Sequence, residues 1–244
     1  MTGPPGRRAV RPSGRMPRRA VLLDCLGTLL ELEPPGPRLR RELARRGVDV
    51  SASAAEGAFR AEIDYYLDHH LDGRDRESLA RLRNACAAVT AEALGLGRER
   101  LAVVRAALLA AISFVPLRGV QEALRALRAA GLRLVVASNW DCSLARVLAD
   151  AGLRSLVDGV VTSAEVGVTK PDRQVFDAAL EVAGCGPEET VCVGDSLEHD
   201  VAGAHAAGIE AILLLRAGAP AVEDASVTVA RSLDEARSLI LARG

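Results

Sequence analysis

From Gly119 onward the chain alternates two kinds of apolar run. Val120-Gln121-Glu122-Ala123-Leu124-Arg125-Ala126-Leu127 places apolar residues at helical spacing and stops at Gly131, and Leu132-Arg133-Leu134-Val135-Val136-Ala137 then reads as a strand. The pattern predicts further strands at 157–162, 190–194 and 209–215, and helices near 142–151, 172–184, 199–207 and 232–242. With Ala20-Val21-Leu22-Leu23 as the first strand, this is a βαβ series, hence a mainly parallel sheet with helices on both faces. Sheets of this kind bind ligands beyond the carboxyl ends of their strands.

Segment 38–113 interrupts the alternation. It holds almost no strand-like run and offers helical patterns near 38–46, 52–71, 76–94 and 98–112. Pro34-Pro35-Gly36-Pro37 on one side and Val115-Pro116-Leu117-Arg118-Gly119 on the other read as hinges. The expected fold is therefore α/β: a Rossmann-like doubly wound parallel sheet core, 18–33 and 114–244, with an inserted all-helical cap domain, 34–113, as a lid over the strand ends.

Composition narrows the class. At 244 residues and 49% hydrophobic content the chain can bury a substantial core. The net charge is −1, but Arg7, Arg8, Arg11, Arg15, Arg18 and Arg19 put six positive charges in the first nineteen residues with no acid, which leaves about −7 for the rest. An acidic body with only 2% aromatic residues argues against nucleic acid as a partner. Residues 1–17 read as a disordered basic tail without a signal-peptide core, and translation starting at Met16 would lose nothing catalytic. No run approaches the length of a membrane span, so a cytoplasmic protein with a small-molecule substrate is expected; oligomeric state does not follow from these residues. Cys25, Cys86, Cys142, Cys185 and Cys192 form an odd set without metal spacing, which predicts reduced thiols.

The polar residues at the strand ends carry the chemistry. Strand one ends in Asp24-Cys25-Leu26-Gly27-Thr28-Leu29, strand two in Ser138-Asn139, and strand four in Gly194-Asp195-Ser196-Leu197-Glu198-His199-Asp200. Lys170 follows strand three and is the single lysine among thirty-one basic side chains. A site that keeps lysine in so arginine-rich a chain needs a compact point charge rather than a planar fork. Each cluster alone reads as a turn or a helix cap. Together, at one edge of a sheet, they suit chemistry on an anion beside a divalent metal.

On these residues the chain resembles the haloacid dehalogenase (HAD) superfamily of hydrolases, in the branch with a helical cap after the first motif. The four motifs stand here as Asp24-Cys25-Leu26-Gly27-Thr28, Ser138-Asn139, Lys170-Pro171-Asp172 and Gly194-Asp195 through Asp200, and the resemblance runs from residue 18 to about 216. It implies that Asp24 is the nucleophile and that Mg²⁺ is held by Asp24, the backbone carbonyl of Leu26 and Asp195, with Asp200 supporting. It also implies that Thr28, Ser138, the backbone around Asn139 and Lys170 hold the transferred phosphoryl group. Such a site splits phosphate ester hydrolysis into formation and breakdown of an aspartyl-phosphate.

One position departs from the family's phosphatases. They carry a second aspartate two residues after the nucleophile, as proton donor and then acceptor, and here that residue is Leu26. Losing a general acid/base typically costs ~10²–10⁴ in rate. A surrogate from the cap is one answer, with Tyr66, His69 and His70 as candidates on one helix face at i, i+3 and i+4. A 2-haloacid dehalogenase is a second reading, opposed by Asp195, where those enzymes usually carry serine. Phosphonoacetaldehyde hydrolases also lack the second aspartate but use a cap lysine, which this chain does not have. A binding or regulatory protein that kept the fold without efficient turnover is the reading from another class.

Overall fold

The computed structural model describes residues 17–216, 224 and 226–242. Apart from Pro17, the basic tail read at 1–17 lies outside the described residues. Six parallel strands form the central sheet: β1 (Ala20–Leu23), β4 (Arg133–Ser138), β5 (Gly159–Thr162), β6 (Thr190–Gly194), β7 (Glu210–Leu214) and β8 (Thr228–Ala230). Their order is β5-β4-β1-β6-β7-β8. After β1 the chain winds outward through β4 and β5, then returns to the other side of β1 to lay down β6, β7 and β8. The reversal at β1 opens a crevice at its carboxyl end, where open α/β sheets bind ligands.

Alternation along β1 shows why the sheet is covered twice. Val21 and Leu23 point into one apolar cluster with Val120, Leu124 and Leu127 of α5 (Val120–Ala129) and Ile240 of α10 (Leu233–Leu241). Ala20 and Leu22 point into a second, with Val175, Phe176 and Ala179 of α8 (Arg173–Ala183). All four β1 residues are fully buried, as expected of a central parallel strand. This is the α/β, Rossmann-like architecture expected from the run pattern.

Between β1 and β4 the chain builds α1 (Pro35–Ala44), α2 (Ala52–His69), α3 (Arg76–Ala93) and α4 (Leu101–Ala111), which bury their own cluster around Leu39, Phe59, Leu82, Val104 and Leu108. Ser51 caps α2 by accepting from the Ala54 amide at 3.1 Å, and Asp75 caps α3 by accepting from the Glu77 and Ser78 amides. Helix α1 begins within the segment read as a hinge, because prolines in a first turn give up amides that have no helical partner anyway. A two-stranded antiparallel ribbon, β2 (Leu30–Leu32) with β3 (Phe114–Pro116), joins the two ends of the helical segment. The periodicity did not predict this ribbon or β8; three-residue strands are too short to show a period, and Pro116 ends a ribbon edge where no further amide is needed.

Three contacts bind the helices to the sheet edge. The Tyr66 hydroxyl donates to Asp141 Oδ2 at 3.0 Å, His70 Nε2 lies 3.0 Å from the Ser163 hydroxyl, and the Cys142 amide donates to the Gly73 carbonyl at 2.8 Å. No helix among the described residues is long and apolar enough to cross a membrane.

Candidate active site

Asp24 emerges directly after β1, between the ends of β4 and β6. Its Oδ1 accepts from the Ser138 hydroxyl at 3.0 Å and from Lys170 Nζ at 2.7 Å. The same Nζ donates to Asp200 Oδ1 at 2.5 Å and to the Ala137 carbonyl at 3.0 Å, so its three protons are spent on three acceptors. Asn139 supplies the frame for this lysine: its side chain accepts from the Lys170 amide at 2.7 Å and donates to the Lys170 carbonyl at 3.2 Å.

Asp200 reaches the network through a local distortion of its helix. The helix read at 199–207 is instead a π-helical stretch, Leu197–Ala202, followed by the short α9, Gly203–Ala206. Ser196 caps the stretch, its carbonyl accepting from the amides of both Asp200 and Val201 at 3.1 Å. Wider turns of this kind recur at functional sites, where they redirect a side chain. Here the result is an inward Asp200 whose Oδ2 accepts from the Ser196 amide at 3.0 Å. It packs against Gly194, where a Cβ would lie 2.2 Å from the Asp200 carboxyl carbon.

Asp195 completes the cluster from the end of β6. Gly27 makes room for it: with φ at +94° and an ideal Cβ position only 1.9 Å from Asp195 Oδ2, residue 27 tolerates no side chain while Asp195 stays in place. Carboxylate oxygens of Asp24, Asp195 and Asp200 all lie within 4.8 Å of one another. Burial, together with the charges of Asp24 and Asp200, pushes Asp195 up to about 6. Burial also holds Asp24 above the ordinary aspartate range against the pull of Lys170. For Lys170 burial works the other way, but Asp24 and Asp200 outweigh it and hold the ammonium above the ordinary lysine range. Arg216, which the motifs did not single out, donates from Nε to the Gly27 carbonyl at 3.3 Å and stands 4.0 Å from Asp195 Oδ2.

Two polar groups in the first loop have no hydrogen-bond partner among the described residues. The Thr28 hydroxyl is buried and makes no hydrogen bond among the described residues, although buried polar atoms nearly always find a partner. No donor among the described residues reaches the Leu26 carbonyl, because the loop bonds through Gly27 N to Leu30 O and through Leu30 N to Cys25 O. Cys25 itself is an inert thiol: burial and the neighbouring Asp24 push it well up. All five cysteines are free.

The cap candidates separate in the structure. His70 is buried and tied at both ring nitrogens, Nδ1 lying 2.9 Å from the Leu67 carbonyl and Nε2 facing Ser163. His69 stacks on Tyr65 at a centroid distance of 4.0 Å and bonds the Tyr65 carbonyl, so it does not share a face with Tyr66 and His70. Tyr66 alone of the three lines the cavity between helices and sheet edge, a space of about 470 Å³ whose walls include Leu26, Phe59, Leu82, Leu108, Phe114 and Trp140.

A residue that the sequence reading leaves within the predicted helix near 52–71 without a role, Glu62, also lines this cavity. Glu62 is 3% exposed, pairs with no cation among the described residues, and has the Cys86 thiol as its hydrogen-bonding neighbour. Burial pushes its carboxyl up to about 7. A carboxyl raised in the folded state binds its proton more tightly there than in the unfolded chain, so its burial destabilises the fold increasingly as pH rises from about 4.5 through 7. Glu62→Gln is therefore expected to unfold later than wild type at pH 8, by up to ~3 kcal/mol, with the gain vanishing by pH 4. Urea titrations at the two pH values measure it, and a variant less stable than wild type at pH 8 would show that the carboxylate has a partner.

The haloacid dehalogenase-like hydrolase family matches residues 18–208. Haloacid dehalogenase-like hydrolase domain-containing protein 3 of Bos taurus is 30% identical over 211 residues, covering 82% of this chain and 83% of that protein. Glyceraldehyde 3-phosphate phosphatase of Methanothermobacter thermautotrophicus is 42% identical over 94 residues, 36% of this chain and 39% of its own length. Among solved structures, the HAD-hydrolase YfnB of Bacillus subtilis bound to magnesium superposes with a TM-score of 0.67 at 17% identity, over 92% of this chain and 99% of that one. The matched region takes in all four strand-end clusters and the helices between the first and second, and this chain belongs to the haloacid dehalogenase-like hydrolases.

Proposed function

We propose that this hydrolase is a Mg²⁺-dependent phosphatase acting on a small-molecule phosphate ester, with Asp24 as the nucleophile. The observation that carries this reading is the clustering of three carboxylates, Asp24, Asp195 and Asp200, within 4.8 Å of one another, with the buried Lys170 ammonium bonded to only two of them, Asp24 and Asp200. Lys170 pairs with two of these acids and Arg216 stands 4.0 Å from the third; two cations do not balance three acids, and a hard, oxygen-only donor set in excess negative charge is what Mg²⁺ prefers. Asp24, Asp195, Asp200 and the unbonded Leu26 carbonyl would hold the ion. Bound there, it would screen the repulsion between the Asp24 carboxylate and the phosphoryl oxygens.

The remaining steps belong to the chain's own groups. Asp24 attacks phosphorus from the end of β1. Lys170 balances charge on the nucleophile and on the transferred group, and the Ser138 hydroxyl and the partnerless Thr28 hydroxyl offer donors to the equatorial oxygens. Asn139 acts by holding Lys170 through its backbone. The helices α1–α4 serve as the cap, so that residues 34–113 close the site and residues 18–33 and 114–244 carry it. Free thiols and the absence of a membrane-length helix among the described residues are compatible with a cytoplasmic setting.

Phosphate release from p-nitrophenyl phosphate tests this. Wild type is expected to release phosphate with Mg²⁺ and to lose nearly all turnover in EDTA, recovering when Mg²⁺ is restored. Metal-independent turnover would remove Mg²⁺, and the ion-holding role of Asp195 and Asp200, from the mechanism. Release of chloride from 2-chloropropionate without metal would establish the dehalogenase reading instead, and phosphate bound without release would support a binding role.

A further inference from the structure

In an in-line phosphoryl transfer the displaced oxygen departs on the side of phosphorus opposite the nucleophile. A cavity meets the site through Leu26, two residues after Asp24, and Asn139, which bonds the Lys170 backbone; Asp24 is not in its walls, and α2, α3 and α4 bound its other side. Leu26, 43% exposed, lines it where a family phosphatase would present its proton donor. A proton for the leaving oxygen has to come from a group that shares this cavity.

Few of its polar side chains are able to supply one. Arg83 and Arg146 do not release protons near neutrality. Asp150 is exposed and paired with Arg146 at 2.8 Å. Asp141 is engaged by the Tyr66 hydroxyl and the Ser143 amide. Tyr66 and Cys86 are pushed up by burial, away from the range of a neutral-pH acid. Glu62 remains: a buried carboxyl on α2 that lines the cavity, has the Cys86 thiol as its hydrogen-bonding neighbour and forms no ion pair among the described residues.

We propose that Glu62 donates the proton to the leaving oxygen and then accepts one from the attacking water, taking over the task that Leu26 cannot perform; this rests on the phosphatase reading above. As an Asp24 carboxylate oxygen bonds to phosphorus, the bond from phosphorus to the ester oxygen breaks. Its electron pair stays on that oxygen, which takes the Glu62 proton and leaves as an alcohol. Water then attacks phosphorus and gives a proton to the Glu62 carboxylate, while the Asp24–phosphorus bond breaks and its pair returns to Asp24, releasing inorganic phosphate. The aromatic and aliphatic walls suit an alcohol with an apolar body. A carboxyl poised at about 7 is matched to both halves of the cycle.

The test compares kcat/KM, which reports steps up to formation of the aspartyl-phosphate, for 2-phenylethyl phosphate and p-nitrophenyl phosphate in wild type and Glu62→Gln, with Mg²⁺. A poor leaving group needs the proton and a good one does not. Glu62→Gln is therefore expected to lose on the order of 10²–10⁴ on the phenylethyl ester and far less on the nitrophenyl ester. The groups facing Glu62 are Tyr66 on its own helix, Arg83 and Cys86 on α3, and Asp141 after β4; the fall of phenylethyl ester turnover above pH 7 is assigned to the Glu62 carboxyl and should vanish in the variant. Adding Leu26→Asp to Glu62→Gln is expected to restore phenylethyl ester turnover. Equal losses on both esters, or no rescue by the aspartate, would overturn the role of Glu62 while leaving the phosphatase reading intact. A wild type inert on both esters with Mg²⁺ would overturn both.

Discussion

Asp24→Asn is expected to lower turnover by on the order of 10⁴–10⁶-fold, the scale on which removal of a nucleophile acting as a unit with its partners is felt, and to leave the fold intact. The two halves of this expectation have one origin. Asp24 shares Lys170 with Asp200, so the neutral amide removes one of two buried carboxylates while the ammonium keeps the other at 2.5 Å. Burial already holds the Asp24 carboxyl above its ordinary range, so its charge contributes little to folding and the isosteric amide fits the same space. The Ser138 hydroxyl, which donates to Oδ1, keeps an acceptor in the amide oxygen. Thermal melting together with phosphate release measures both consequences. A variant as active as wild type would remove Asp24 as the nucleophile, and one that fails to fold would mean that Asp24 is needed structurally as the partner of Lys170.

Much of this geometry was legible in the sequence because it sits at strand ends. Long apolar runs at 132–137 and 190–194 announced β4 and β6, and a parallel sheet obliges the residues that follow each strand to meet at one edge; Asp24, Ser138, Lys170, Asp195 and Asp200 do meet there. What the pattern could not reveal depends on tertiary context. Glu62 falls at helical spacing from Ala55, Ala58 and Phe59 on the buried face of α2, but a lone acid reads as solvent-facing by its type, and only the tertiary packing of α2 shows it buried beside Cys86. The cap histidines failed to share a face with Tyr66 in the expected way because the i, i+4 ring contact pairs His69 with Tyr65 and His70 with Tyr66. The π-helical turn that aims Asp200 leaves no periodic trace, since its signal is a single displaced hydrogen-bond register.

Lys170→Met is expected to be the most destabilising single change at the site, by on the order of 3–5 kcal/mol, because it leaves two buried carboxylates facing each other without a cation. Asp24 and Asp200 are 7% and 2% exposed, and Lys170 Nζ is the group that separates them. Methionine fills the stem's volume, so the loss reports the charge and not a cavity. Arginine is not expected to rescue. The three acceptors, Asp24 Oδ1, Asp200 Oδ1 and the Ala137 carbonyl, converge on a single nitrogen, whereas a guanidinium spreads its donors around a plane and needs more room than a 3% exposed site offers. This is a physical reason for one lysine to persist among thirty arginines. Adding Asp200→Asn to Lys170→Met removes one unpaired charge, so denaturant titration should show part of the stability returning while turnover stays lost. Full stability in Lys170→Met alone would mean that solvent or a cation already reaches these carboxylates, and would shift the balancing of charge at the nucleophile from Lys170 to that cation.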